Sequence, residues 1–476
     1  MAGAGSTAGR EGWSSRSAFL MAAIGAAVGL GNIWRFPTLA GENGGGAFVL
    51  VYIACVALLG LPLVLSEVMI GRAGRSDAAT SIANVASQSG KSRRWGMFGG
   101  VEILAAFLIL SFYSVVAGWA LHYVIVMIFE LGEVVGQGSP FAPAFAGDSQ
   151  DAITGRMGEL FANPGELILM HALFMAVTVM IVAGGVHNGI ERAAGIMMPA
   201  FFVLLAGITI YGAFTGAFAE AVTFLFTPDF SRLTPVAVNE ALGQALFSLS
   251  LGSAALITYG AYLGDDLKLA PTAGMIALAD TCVALMSGLM IFPIVLAVGL
   301  DPAAGPVLVF QSLPIAFAQM PGGALIGFLF FILIFFAALT SSISLLEGPT
   351  ALVIDRVGLR RRIAAPLVGG AAFLIGIACA LGYNVWSDVR PLSFWPIFAE
   401  NDILDSIDGL TGKVMLPLAA LGVSLFTGWR MDRGLMAAQT GLSGARLALF
   451  RGLIAWVAPV AVALILLFGL FPGLLV

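Results

Sequence analysis

Apolar runs long enough to cross a bilayer recur along this chain from end to end, and a segment surrounded by lipid must satisfy every backbone amide and carbonyl within itself, as a helix does. Runs bounded by charges and Gly/Pro clusters predict helices near 16–40, 47–73, 96–131, 165–184, 190–214, 237–263, 272–299, 324–355, 363–382, 410–430 and 448–474, eleven spans in all. Composition points the same way, with 59% of the 476 residues hydrophobic and 10% charged, against about 25% charged in soluble domains. The expected class is an all-α polytopic membrane protein.

Positive charge orients the spans, because Lys and Arg collect on the cytoplasmic side. With the N-terminus inside, 17 of the 22 Lys and Arg fall in cytoplasmic segments, three (Arg156, Arg232, Arg390) in outer loops, and Arg35 and Lys413 in the outer halves of helices. Residues 1–15 then read as a cytoplasmic tail without a cleavable leader. An odd number of spans sends the C-terminus outside, and the expected location is the cell's inner (plasma) membrane. The stretch Val307 to Ala318, between Pro306 and Pro321, is too short to span and is expected to be a re-entrant or surface helix. Cys55, Cys282 and Cys379 lie in apolar runs, and His122, His171 and His187 are scattered, so neither a disulfide framework nor a clustered metal site is expected. The net charge of −5 gives no reason to expect nucleic acid as a partner.

Two spans are interrupted. The first contains Ala27-Val28-Gly29-Leu30-Gly31-Asn32 followed by Ile33-Trp34-Arg35-Phe36-Pro37, and glycines, an amide and a guanidinium at that depth are tolerated where they line a site. The sixth contains Phe247-Ser248-Leu249-Ser250-Leu251-Gly252-Ser253, a pattern that also suits close helix packing. Interruptions five spans apart are the expected mark of two inverted five-helix repeats, here 16–214 and 237–430, joined by an outer loop 215–236 and followed by 431–476 with the eleventh helix.

At this point the residues closely resemble the neurotransmitter:sodium symporter family. The resemblance rests on Arg10 with Trp13, GLGNIWRFP at 29–37, ENGGGAF at 42–48, GIER at 189–192, FSLSLG at 247–252 and ALTSSIS at 338–344, and it runs from Arg10 to the eleventh span. The eleven-span layout is similar to bacterial members. The resemblance implies secondary transport of a substrate and two sodium ions held at the unwound first and sixth helices.

It also implies where each ligand sits. One sodium would use the Ala27 carbonyl, Asn32, Ser248 and Asp280 with the substrate's own carboxylate. The second would use the carbonyls of Gly25, Val28 and Ala337 with the hydroxyls of Thr340 and Ser341. Oxygen-only cages suit a hard cation. Asp280 stands where many relatives carry Asn, and Ala284 where chloride-dependent members carry Ser, so chloride is expected to be dispensable, although Tyr52, Gln244 and Ser248 keep part of the family's chloride pattern. For the substrate, the Leu30 and Gly31 amides and the Tyr113 hydroxyl would meet a carboxylate, and the carbonyls of Ala27, Phe247 and Ser248 an amine. Gly29 leaves room for an amino acid's carboxylate where monoamine carriers place an Asp. Ile109, Phe247, Ser250, Ser253, Ser341 and Leu345 would form an uncharged side-chain pocket, with Ser253 in place of the aromatic of a bacterial leucine carrier, so a large neutral L-amino acid is expected.

The resemblance further pairs Arg35 with Asp408 as an outer gate capped by Tyr113 and Phe247, and Arg10 with Asp355 as an inner gate beside Trp13. Exposed pairs of this kind are worth only about 0–1 kcal/mol, which suits gates that open repeatedly. Gly189 and Pro199 would let the inner end of the fifth helix unwind. Glu67 and Glu347 are expected to hydrogen-bond unwound backbone, Glu67 as a brace. Two rivals to a carrier are a non-transporting receptor of the same fold and an intramembrane hydrolase. The latter is disfavoured because no nucleophile, base and orienting group recur at motif spacing.

Overall fold

The computed structural model describes residues 11–139, 141–214, 217–300 and 308–474, and these contain helices and no strand. Arg10 lies outside the described residues. Nine continuous helices are long and apolar enough to cross a membrane: Gly46–Gly74, Arg93–Gly136, Pro164–Ala183, Val186–Ala213, Leu269–Ala297, Gly323–Val357, Arg361–Leu381, Ile403–Arg430 and Gly444–Leu470. Arg16–Ala27 and Gly31–Glu42 form a tenth, bent by 51° at its break. Pro235–Ser248 and Ala255–Ala261 form the eleventh, also broken. In chain order the broken spans are the first and the sixth. Large apolar side chains on many helices face outward, among them Phe129, Val203, Leu278 and Leu374, each at least 64% exposed, as a lipid-facing surface requires.

Both breaks have local causes. In the first span the helix stops at Val28, whose extended backbone (φ −73°, ψ 107°) turns the chain aside before Gly31-Asn32-Ile33-Trp34-Arg35 resumes as a wide turn. In the sixth, Ser250, Gly252 and Ala254 all adopt left-handed backbone, at φ 53°, 75° and 61°. Such φ values are costly for residues with a Cβ, so three in five positions stop a helix. Gly252 has a second reason to be glycine, since a Cβ there would lie 2.6 Å from the Leu416 carbonyl. Glu67 of the second span accepts the freed Gly252 N–H at 2.8 Å, which is the bracing role expected of it.

Three features depart from expectation. The tenth span begins at Ile403 rather than near 410, because Asp402 caps it by accepting the Asp405 amide at 2.8 Å. The connecting segments hold helices of their own, Ala78–Gln88 and Gln150–Ala162. Of the two alternatives for the short apolar stretch in the seventh-to-eighth connection, only the surface helix is overturned: Leu308–Ser312 and Leu313–Gln319 press Val309, Phe310, Leu313 and Phe317 into the protein, each at most 3% exposed, against the eighth span and the helix Gln150–Ala162. Burial of that apolar face explains the placement.

Candidate ligand and ion site

The two breaks meet. A small closed cavity of about 40 Å³ lies between them, lined by Ala27, Gly29, Leu30, Gly31, Ile109, Tyr113, Phe247, Ser248, Ser250, Ser253, Ser341, Leu345 and Leu416. Twelve of these are the residues singled out in the sequence as a substrate pocket, and the structure brings all twelve together. Leu416, from the tenth span, was not anticipated, since an ordinary leucine in an apolar helix carries no signal. The lining is uncharged.

Polar groups around the cavity are held by the interrupted backbone. The Tyr113 hydroxyl accepts the Leu30 N–H at 3.4 Å, and Asn32 Oδ1 accepts the Gly29 N–H at 3.1 Å. Ser250 donates to the Ala26 carbonyl at 2.8 Å and Ser253 to the Ser250 carbonyl at 2.6 Å, so each loop hydroxyl is committed to backbone. A Cβ on Gly29 would lie 2.5 Å from Ser341 Oγ and 3.2 Å from the Tyr113 hydroxyl, which is why this position is a glycine.

Beside the cavity, three neutral donors converge on one carboxylate. Asn32 Nδ2 donates to Asp280 Oδ1 at 2.7 Å, Ser248 to Asp280 Oδ2 at 2.7 Å, and Tyr52 to Oδ2 at 3.3 Å. Asp280 is fully buried, and no ion pair reaches it among the described residues. Buried carboxylates ordinarily have a cationic partner or a metal. Gln244 sits alongside, donating to the Gly31 carbonyl at 2.8 Å.

A second oxygen cluster joins the first and eighth spans. Ser341 Oγ lies 3.3 Å from the Val28 carbonyl and Thr340 Oγ1 3.1 Å from the Ala337 carbonyl, while the Gly25 Cβ position is 3.1 Å from Thr340 Cβ. Apart from the Asn32 amide nitrogen, both clusters are built of oxygens, as a hard cation prefers. No cluster of three or more His, Cys, Asp or Glu occurs among the described residues.

The cavity is closed differently on its two sides. Away from the N-terminus, Phe247 separates it from a wider opening of about 450 Å³ lined by aromatic side chains that include Trp34, Trp119, Phe161, Phe310 and Tyr383. Arg35 and Asp408 both line that opening. They do not form a direct ion pair among the described residues; the Arg35 guanidinium lies over the Phe247 ring, 4.9 Å from its centre. The expected gate pair is therefore present as facing charges, with the cation seated on the aromatic partition.

On the N-terminal side the path is filled. Trp13 donates to the Tyr259 carbonyl at 3.0 Å and packs edge-on against Phe19, Tyr259 and Tyr262. Asp355 accepts the Ser76 hydroxyl at 2.9 Å and the Asp77 amide at 2.8 Å; its expected partner Arg10 is outside the described residues. A network that the sequence did not suggest lies alongside: Arg361 bridges Glu347 at 2.5 Å and Glu11 at 2.8 Å, and Tyr262 also donates to Glu347. Glu347 thus pairs with Arg361 and Tyr262 rather than with unwound backbone, contrary to expectation, because a charged donor satisfies a buried carboxylate more strongly than a backbone amide. Gly189 lies in a wide turn, Val186–Glu191, that opens the fifth span, and Pro199 lies within the helix that follows.

A membrane-embedded helical bundle with two broken spans around an uncharged cavity and oxygen clusters defines a secondary transporter fold. The sequence matches the family described as the sodium:neurotransmitter symporter family over residues 10–131 and 152–385, and the chain belongs to it. It is 36% identical over 459 residues to an uncharacterized sodium-dependent transporter, YhdH, of Bacillus subtilis, covering 96% of each chain. A sodium-dependent transporter of Haemophilus influenzae is also 36% identical, over 88% of this chain and 89% of its own. The structure is similar to MhsT in complex with L-phenylalanine, at a TM-score of 0.86 and 41% identity, covering 97% of this chain and all of that one. The protein is a multi-pass, sodium-dependent transporter.

Proposed function

We propose that the protein is a symporter that couples two sodium ions to uptake of neutral, large hydrophobic or aromatic L-amino acids by alternating access. The observation that carries this reading is the cavity itself: uncharged walls, the amide ends and Tyr113 hydroxyl at Leu30 and Gly31, and the Asp280 cluster sharing Ser248 with the cavity lining. The amino acid's carboxylate would complete the coordination of the first sodium, so each ligand strengthens the other's binding by the same factor. Ala27, Asn32, Ser248 and Asp280 would hold that ion, and Gly25, Val28, Ala337, Thr340 and Ser341 the second. The MhsT structure with L-phenylalanine supports the same substrate class.

Chloride is dispensable in this reading. The Tyr52 and Ser248 hydroxyls, part of the family's chloride pattern, are already committed to Asp280, and Ala284 offers no hydroxyl. The N-terminal side faces the cytoplasm and the aromatic opening faces outside. Phe247 and Arg35 close over the substrate, while Trp13, Asp355 and the Arg361 network must part to release it, aided by unwinding around Gly189 and Pro199. Each charge crossing 100 mV releases about 2.3 kcal/mol, so two sodium ions support roughly thousandfold accumulation before any sodium gradient is added.

The test is uptake of radiolabelled L-phenylalanine into proteoliposomes under an inward sodium gradient. Concentrative uptake that vanishes in choline, and persists when chloride is replaced by gluconate, is expected. Binding without accumulation would identify a receptor instead, and uptake equal in choline and sodium would end the symporter reading.

A further inference from the structure

Far from the site, the ends of the tenth and eleventh spans enclose a groove of about 600 Å³, lined by Gly428, Trp429, Arg433, Met436, Leu447, Arg451 and Trp456 among others. It lies where Ile403–Arg430 ends and Gly444–Leu470 begins, with the short helix Arg433–Thr440 between them. Residues 430–451 carry four arginines and one acid, Asp432. That acid is occupied as the cap of the short helix, accepting the Leu435 amide at 2.9 Å. None of Arg430, Arg433, Arg446 and Arg451 has an ion pair among the described residues. The Arg451 guanidinium is anchored by donating to the Gly428 carbonyl at 3.3 Å, which leaves its terminal nitrogens for another acceptor.

The groove's other wall is aromatic. Trp429 and Trp456 pack with ring centres 4.7 Å apart, and the Trp429 indole donates to the Ala455 carbonyl at 2.7 Å. Even so packed, they remain 53% and 64% exposed. Trp429 ends the tenth span, where tryptophans sit at headgroup depth, and Trp456 is held beside it by the ring contact; a basic pocket between spans at that depth matches a lipid phosphate with acyl chains beside it. The adjoining lipid-facing side chains Leu449, Val457 and Val460 continue the apolar surface along the eleventh span.

The geometry points to a specific site for one anionic glycerophospholipid, with Arg433 and Arg451 on its phosphate and Trp429 and Trp456 against its glycerol and upper acyl region. The occupant is a lipid rather than a soluble anion, because most of the lining is apolar and the groove is walled by the ends of two membrane spans. The site is independent of the transported substrate, and its residues are absent from the ligand cavity.

Native mass spectrometry of the detergent-purified full chain, titrated with phosphatidylglycerol or phosphatidylcholine, tests this. One tightly retained phosphatidylglycerol is expected, with phosphatidylcholine much weaker. Each arginine near a headgroup contributes about fivefold in affinity, so Arg433→Ala/Arg451→Ala should weaken phosphatidylglycerol binding about thirtyfold and leave phosphatidylcholine unchanged. Arg433→Ala alone guards against misfolding: an exposed cation in the first turn opposes the helix dipole, so its removal costs the fold nothing, and about fivefold weakening is expected. Equal retention of the two lipids, unchanged phosphatidylglycerol binding in the double variant, or displacement of the lipid by millimolar inorganic phosphate would each overturn the assignment.

Discussion

Asp280→Asn isolates the charge on which sodium binding at the first cluster would depend in the proposed mechanism. Asp280 is fully buried, receives Asn32, Ser248 and Tyr52, and has no cationic partner among the described residues. Opposite unit charges 4 Å apart attract by about 4 kcal/mol at an effective dielectric of about 20. Part of that is returned, because a buried amide costs less to desolvate than a carboxylate. A net loss of about 2–3 kcal/mol remains, equivalent to roughly 30–150-fold in ion affinity. In a sodium titration of radiolabelled L-phenylalanine binding, the half-saturating sodium concentration of the variant should rise by that factor. Adding Ala284→Ser restores a hydroxyl beside Tyr52 and Ser248, and the double variant should recover sodium affinity in chloride but not in gluconate. A sodium curve unchanged by Asp280→Asn would refute the argument that the carboxylate is an ion ligand. Recovery that ignores chloride would refute the argument that its charge replaces an anion.

Ser253→Phe should move selectivity toward small aliphatic amino acids, because Ser253 lines a cavity of only about 40 Å³; one or two methylenes are worth about 1–3 kcal/mol, so the ratio of alanine to tryptophan inhibition constants should fall at least tenfold. An unchanged ratio would remove Ser253 as the size determinant. Arg361→Ala strands Glu347, which is fully buried, without its counter-charge. Breaking such a pair costs about 3–5 kcal/mol, so the melting temperature should drop sharply, and Arg361→Ala/Glu347→Gln should recover more than half of the loss. No recovery in the double variant would show that Arg361 acts through another partner.

Much of this architecture is legible in the sequence because its signals are local. Gly29, Gly31 and Asn32, or Ser248, Ser250 and Gly252, advertise a break by sitting where lipid permits only helix, and the twelve pocket residues implied by the family resemblance these motifs carry line one cavity. What stays hidden depends on distant packing. Leu416 reaches the cavity only because the tenth span passes within contact of Gly252, and nothing distinguishes it from neighbouring leucines. Arg361 looks like one of several basic residues in a loop until the fold sets it against Glu347 and Glu11. The sequence sets Arg35 in the outer half of the first span, but its seat on the Phe247 ring depends on how that half is turned by the 51° bend. The buried stretch at Leu308–Gln319 reads as an isolated apolar run, and only the neighbouring helix Gln150–Ala162 gives it something to cover.

Phe247 belongs to both chambers, as the ceiling of the small one and the floor of the wide one. In the proposed transport cycle that single ring would act as a valve flap, with Arg35 resting on it as a weight from above. In that cycle, anything wedged between Arg35 and Asp408 would bear down on the flap, so a molecule that never enters the lower chamber would still imprison whatever is there. Blockade of this kind lengthens residence without competing for the same space. The wide chamber is in this sense a lock on the narrow one, and its aromatic walls supply the surface such a wedge would grip.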